Sequence, residues 1–255
     1  MPGDVIALQG VSMRYQARGG STLALSEVDL QVREGEFIAV VGPSGCGKST
    51  LLKLISGLLP ATMGNVMVGG QLVSGPLRNV GIVFQSPVLM KWRTVYENVA
   101  LPLEVLGIDV KSRHEHILGL LKLAGIQDFA NSYPKELSGG MQQRVSICRA
   151  LVHDPGLLLL DEPFGALDAM TRNRMNIDLA DIWARSRKTT ILITHSVSEA
   201  VFLADRVVVM SARPGRVQAV VDVPIPRPRT VQTRASDDFA HLIQQVGAHI
   251  GFEYL

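Results

Sequence analysis

Apolar and polar positions along this chain fall into successive regimes of spacing. From "VIALQGVSMRY" through "LALSEVDLQVREGEFIAVVG", short apolar runs alternate with polar residues, the period-two pattern of strands, and the unbroken "FIAVV" predicts a strand buried on both faces. Gly42 ends that strand, and Leu51 to Leu58 continues apolar at helical spacing. "NVGIVF" predicts another core strand, stopping at Gln85. Between about Ser86 and Val152 the pattern turns helical, most clearly in "TVYENVALPLEVLG" and "RHEHILGLLKLAG", and Pro134 breaks the chain before "ELSGGMQQR". Strands return in "GLLLLDEP", "TTILITH" and "RVVVM", separated by the helix-like "ALDAMTRNRMNIDLADIWARS" and "SVSEAVFLA". That alternation belongs to a parallel sheet. "VPIPRPRT" reads as an extended basic connector rather than packed structure. A last helix is expected after it, with Ser236 as N-cap and Phe239, Leu242, Ile243, Val246 and Ile250 on one face.

These elements predict an α/β fold with an inserted helical lobe, divided into 1–85, 86–152, 153–212 and a C-terminal extension at 213–255. The 255 residues, 47% of them hydrophobic, suffice for one large α/β domain or two lobes sharing a core. A net charge of +2 with interspersed signs gives no electrostatic footprint for nucleic acid. The amino terminus lacks the basic start and apolar run of a signal peptide, and no segment approaches the ~20 apolar residues of a membrane span. The expectation is a cytoplasmic chain that meets a membrane only through a partner. Two separated cysteines, Cys46 and Cys148, suggest neither a disulfide framework nor a metal cluster.

Chemistry enters with "GPSGCGKST", Gly42 to Thr50, set between a strand and a helix. Gly42, Gly45 and Gly47 let the backbone curl so that successive N–H groups face phosphate oxygens, with Pro43, Ser44 and Cys46 between them. Lys48 adds a mobile positive charge, and the Ser49 hydroxyl suits Mg²⁺, which keeps most of its shell as water and phosphate oxygen. Cys46, at a helix N-terminus, is expected to label slowly and to be shielded by nucleotide, and Cys148 to behave as a small core residue. Asp161 and Glu162 follow a buried strand, where open parallel sheets bind ligands. Asp161 suits the magnesium's water shell and Glu162 a general base, although an acid pair there can also open a helix. His195 and Gln85 also end strands; the first could meet a γ phosphate and the second orient metal or water, while a histidine in that place can equally be structural. "ELSGGMQQR" places two glycines behind Ser138 at a helix start, a second anion site in a chain that already has one. It holds a different anion, or it serves a nucleotide that this chain does not cradle.

In this order the motifs resemble the ATPase subunit of ATP-binding cassette transporters over nearly the full length: "GPSGCGKST" as Walker A, "LLLLDEP" as Walker B, "LSGGM" as signature, "GALD" as D-loop and "TH" with the switch histidine. The resemblance implies a P-loop, RecA-like core with an N-terminal antiparallel β region and a helical signature subdomain. It maps the adenine-stacking aromatic to Tyr15, which could otherwise be an ordinary surface or core tyrosine, and places Asp168 at a dimer seam, where the plain alternative is a helix start. Two cassettes pack head to tail in this family, so Ser138, Gly139 and Gly140 would serve ATP held by the partner's Walker A. Met141 replaces the usual glutamine and Gly165 a commoner serine. "VFQSPVLMKWRTVYENVALPLEVLG" and "VPIPRPR" resemble importers of the nitrate, sulfonate and taurine subfamily, with Lys91 where proline is more usual. The implied partners are a second ATPase subunit, two transmembrane permease subunits and a periplasmic or extracellular solute-binding protein, with the chain peripheral at the cytoplasmic face of the inner membrane. ATP and Mg²⁺ are the implied ligands. Trp92, between Lys91 and Arg93, is expected to anchor a membrane subunit or to pack inside the lobe. Two rival classes fit less well. A soluble cassette ATPase acting on DNA or ribosomes needs a coiled coil, a tandem cassette or a basic surface, and a P-loop kinase or GTPase needs neither signature nor switch histidine.

Overall fold

The computed structural model describes residues 4–17, 20–165 and 167–251. Ala166 of "GALD" and the extreme terminal positions of the parts defined above therefore lie outside the described residues. In chain order, β1 (Asp4–Ala17), β2 (Gly20–Arg33) and β3 (Phe37–Val41) are followed by α1 (Lys48–Ile55), β4 (Met63–Val68), β5 (Gln71–Leu72) and β6 (Val80–Val83). Three helices come next, α2 (Val95–Leu106), α3 (His114–Leu123) and α4 (Gly139–Leu151). The remainder runs β7 (Leu157–Asp161), α5 (Ala169–Ser186), β8 (Thr189–Ile193), α6 (Val197–Leu203), β9 (Arg206–Met210), β10 (Val217–Asp222) and α7 (Asp237–Ile250). Contacts gather these into two compact units: the chain up to Leu77 together with that from Arg187 onward, and Arg78–Ser186.

In the first unit, β2, β1, β4 and β5 form an antiparallel sheet in that order. Alternation along the second half of β2 buries Val28, Leu30 and Val32 and exposes Glu27, Asp29 and Gln31, which selects one face for the core. β3 pairs in parallel with β8 and β9, and β10 adds antiparallel to β9. All five residues of β3 and of β8 are buried, as strands covered on both faces require. α7 is capped by the Ser236 hydroxyl, which accepts from the Phe239 amide, and it buries Phe239, Leu242 and Val246. The segment 223–230 is packed on one side only: Pro224, Pro226, Pro228 and Thr230 are exposed, while Ile225 and Arg227 are half-buried. Val223 and Arg229 are each 5% exposed, and Arg229 sends its guanidinium inward to backbone carbonyls. Composition suggested a connector; the contacts make it a seam of the unit.

In the second unit β6 pairs in parallel with β7. The helices enclose Val95, Val99, Leu103, Ile117, Leu121, Val145 and Cys148. Thr94 starts α2 with a capping box, its hydroxyl accepting from the Glu97 amide while the Glu97 carboxylate accepts from the Thr94 amide. Burial pushes the Cys148 thiol up to about 12, and its S–H donates to the Leu120 carbonyl at 3.5 Å. Because the folded thiol keeps its proton longer than the unfolded one, the stability tied to it is complete below the ordinary pKa of 9.0 and declines as pH rises toward 12. Cys46 is also buried, at 1% exposure, in the loop just before α1, a placement that makes its labelling slower still than a position at a helix N-terminus alone suggests. Neither thiol should take maleimide in the native protein, and both should label on unfolding. Mass spectrometry after timed labelling checks this, and native labelling of Cys46 would contradict its placement.

Candidate functional site

The phosphate loop is built by the first unit. β3 delivers the chain to Gly42, and Gly47 caps α1 from a left-handed φ of 106°. A Cβ at Gly47 would lie 2.6 Å from Leu25 Cδ2, so both the torsion and the space demand glycine. Lys48 opens the helix and is 4% exposed, its Nζ donating to the carbonyls of Gly42 at 2.8 Å and Pro43 at 3.0 Å. A lysine folded onto its own loop places its charge beneath the curl of the backbone, while Ser44 and Gly45 face solvent. Tyr15, on β1 and 37% exposed, is tied to this loop by its hydroxyl, 3.2 Å from Thr50 Oγ1.

A second support was not evident from sequence. The turn after β9, Ser211 to Arg216, packs against the loop: Arg213 Nε donates to the Gly45 carbonyl at 3.1 Å. Gly215 comes so close that a Cβ there would sit 2.0 Å from the Cys46 carbonyl oxygen and 2.9 Å from Met210 Cε. The pairing of Pro214 with Gly215 marks a turn, but nothing local announces what the turn supports. Gly215→Ala should displace the loop at an overpacking cost of about 1–3 kcal/mol. Part of that cost will appear as weaker nucleotide binding, roughly tenfold for each 1.4 kcal/mol. Titration with a fluorescent ATP analogue checks this; unchanged affinity would show that the loop tolerates the shift.

His195 also belongs to this unit. It is exposed, two residues beyond β8, between Thr194, whose hydroxyl donates to Glu199 Oε2 at 2.6 Å, and Ser196, which caps α6 by accepting from the Glu199 amide.

The second unit carries the acids. Glu162 directly follows β7 with a left-handed φ of 46°, unusual for a residue with a side chain, and its carbonyl accepts from the Gly165 amide at 3.1 Å in a tight turn. Gln85 Nε2 donates to Glu162 Oε2 at 3.1 Å, so two residues 77 apart in sequence meet. Asp161, the last residue of β7, is half-buried beside them in the chain. Asp168 caps α5: its Oδ1 accepts from the amides of Met170 and Thr171, and those hydrogen bonds, the Thr171 amide foremost, hold its carboxyl below the usual range.

In the same unit Ser138 caps α4 by accepting from the Met141 amide at 3.3 Å. The amides of Gly139 and Gly140, in the first turn, have no intrahelical acceptor, and Ser138 and Gly139 are exposed. A Cβ at Gly140 would be 3.2 Å from Thr171 Cγ2. Met141, where the resemblance expects glutamine, packs its side chain on the helical core.

The residues present fit a nucleoside triphosphate with magnesium. In the first unit Gly42 and Gly47 leave no room for a Cβ, a lysine ammonium lies under the loop and Ser49 offers a hydroxyl oxygen; in the second, taken by itself, Gln85 and Asp161 offer side-chain oxygens, the ligand type magnesium takes. Among the described residues no helix is long and apolar enough to cross a membrane.

Residues 25–165 match the family model described as ABC transporter. A taurine import ATP-binding protein, TauB of Rhizobium johnstonii, is 43% identical over 96% of this chain and 95% of its own. An aliphatic sulfonates import ATP-binding protein, SsuB of Bacillus cereus, is 41% identical over 94% of each chain. Among solved structures, the dimeric post-hydrolysis state of the ATP-binding cassette MJ0796, bound to ADP and Pi, superposes with a TM-score of 0.77 at 32% identity, covering 87% of this chain and 100% of that one.

Proposed function

Because the chain belongs to the ABC transporter family, we propose that it is the ATP-binding and hydrolysing subunit of an importer for a small anionic solute of the nitrate, sulfonate or taurine kind. The observation that carries this reading is the second anion site. Ser138, Gly139 and Gly140 present a helix N-terminus to solvent in a chain that has its own phosphate loop. A head-to-tail dimer gives that second site its use, the glycine amides of one copy donating to the γ phosphate held by the other.

The roles then follow from each residue's chemistry. Gly42 to Thr50 hold the phosphates, Lys48 supplying charge and the glycine-rich backbone supplying N–H donors. Tyr15, bonded to Thr50, flanks the base. Ser49, Gln85 and Asp161 hold magnesium, which when bound neutralises charge on the phosphate oxygens. Glu162 accepts a proton from the attacking water, oriented by the Gln85 amide on its carboxylate. His195 senses the γ phosphate, and Asp168 stands at the seam between copies. Parts 1–85 and 153–212 form the motor, and 86–152 joins it to two transmembrane permease subunits at the cytoplasmic face of the membrane. A solute-binding protein delivers the anion. The sulfonate and taurine assignments of the two relatives support this substrate class.

Sedimentation tests the composite site. With hydrolysis blocked by Glu162→Gln, MgATP should convert monomer into a two-fold dimer, since two shared ATP molecules drive association by mass action. Monomer at nucleotide concentrations that saturate the loop would overturn the reading.

A further inference from the structure

We infer that the C-terminal extension is a clamp on α6 that positions the switch histidine, with Arg229 and Arg234 as positioning residues. This inference rests on the reading of His195 given above. Arg229 is buried, and its guanidinium donates to five carbonyls: Val201, Phe202 and Ala204 at the C-terminal end of α6, and Val223 and Ile225 in the extension. The three at the end of α6 are among the orphan carbonyls that end a helix, and a cation there also complements the helix dipole. Arg227 adds a second grip, donating to the Leu203 carbonyl at 2.5 Å and to Asp205 at 2.8 Å.

Arg234 takes hold of the helix on its side. Its guanidinium carbon lies 4.3 Å from the centroid of the Phe202 ring, and Nη1 donates to Ser198 Oγ at 3.3 Å. Burial lowers the Arg234 guanidinium from its ordinary range, and the charge of Glu199 opposes that shift. Glu199 in turn is 5% exposed and accepts from the Thr194 hydroxyl, which itself accepts from the Ser196 amide at 3.0 Å. Arg234 thus holds Ser198 and Phe202 of α6, and Glu199, the residue after Ser198, is hydrogen-bonded to Thr194 and Ser196, the two residues that flank His195. With only seven residues, α6 is too short to hold itself in water and owes its order to such packing. The extension, from Val223 to Arg234, supplies the polar part of it.

The experiment uses the full chain and four variants: Arg234→Ala, Arg229→Met, His195→Ala and the double Arg234→Ala with His195→Ala. Steady-state ATPase, melting temperature and amide hydrogen exchange over 194–203 are read on each. Arg234→Ala should stay folded, lower kcat about tenfold with KM for ATP held within about twofold, and speed exchange at 194–199, because small misplacement of a reacting group costs rate rather than binding. Arg229→Met should do the same more strongly; should it fail to fold, Arg234→Ala carries the test. The double variant should be no slower than His195→Ala alone, since Arg234 acts only through the histidine. Losses that multiply, or an Arg234→Ala protein with normal kcat and normal exchange, would overturn the clamp. If His195→Ala itself turns over normally, the histidine's role fails separately, and the clamp then stands on faster exchange in Arg234→Ala or falls on its absence.

Discussion

Glu162→Gln is expected to reduce ATP hydrolysis by a factor of ~10² to 10⁴ while leaving ATP affinity nearly unchanged, the range that loss of a positioned general base produces. The geometry makes this substitution unusually clean. Glu162 is fixed by the left-handed turn after β7 and by the Gly165 amide on its carbonyl, and both constraints act on the backbone. A glutamine of the same length can adopt the same torsion. Its side-chain oxygen can still accept from Gln85 Nε2, so the contact that orients the group survives. What disappears is the capacity to take a proton from water. Binding, carried by the phosphate loop of the other unit, is left intact. Lys48→Ala makes the contrast, removing an ammonium that lies on the loop itself and weakening binding first. Single-turnover hydrolysis and equilibrium ATP binding on one preparation separate the two effects. An undiminished turnover number would remove Glu162 from the chemistry and leave its strained torsion unexplained.

The parts of this site that were legible in sequence are those in which one short stretch makes both the shape and the chemistry. "GPSGCGKST" specifies its own turn, and the buried run "FIAVV" before it specifies a strand covered on both faces. Ser236 as a cap, and the face Phe239, Leu242 and Val246, were equally local. Contacts between distant stretches were not legible. Gln85 and Glu162 each read as a strand end, but their hydrogen bond depends on β6 and β7 being parallel neighbours. Glutamate gives no sign of a left-handed torsion, since steric cost argues against it and only the surrounding turn compels it. Arg213 and Gly215 support a loop more than 160 positions away, as the pairing of Arg213 with Gly45 illustrates. Arg229 was hidden by its own context. A proline-rich basic run resembles solvated linker, and only the carbonyls at the end of α6 reveal why an arginine is buried there.

Trp92→Ala is expected to abolish solute-stimulated hydrolysis in the assembled transporter while leaving the basal ATPase of the isolated chain nearly unchanged. The sequence left two places for this tryptophan, inside the helical lobe or at a partner's surface, and its 74% exposure removes the first. The loop that bears it is far from loose. Asn98, fully buried, donates to the carbonyls of Met90, Arg93 and Thr94 and accepts from the Met90 amide. Arg149 and Ser146 donate to the Pro87 carbonyl from α4, the helix that Ser138 caps, and Arg93 is paired with Glu104 on α2. The loop is thus an ordered shelf that holds an indole out in water, where contact with another protein would bury it. Val88, 60% exposed on the same loop, extends the apolar surface. Tryptophan and arginine together are the side chains that most often dominate binding energy at such contacts. On our reading the occupant is a cytoplasmic helix of a permease subunit. Since Gln85 begins the connection from β6 to this shelf, events at Glu162 can be felt there. Removing an exposed indole deletes no core packing, so the melting temperature should hold within about 1 °C, the small effect expected of a surface substitution. Pull-down with the permease subunits should weaken, and transport in proteoliposomes should cease. A folded Trp92→Ala protein that transports normally would sink the assignment, and one that melts early would return the tryptophan to the lobe's own stability.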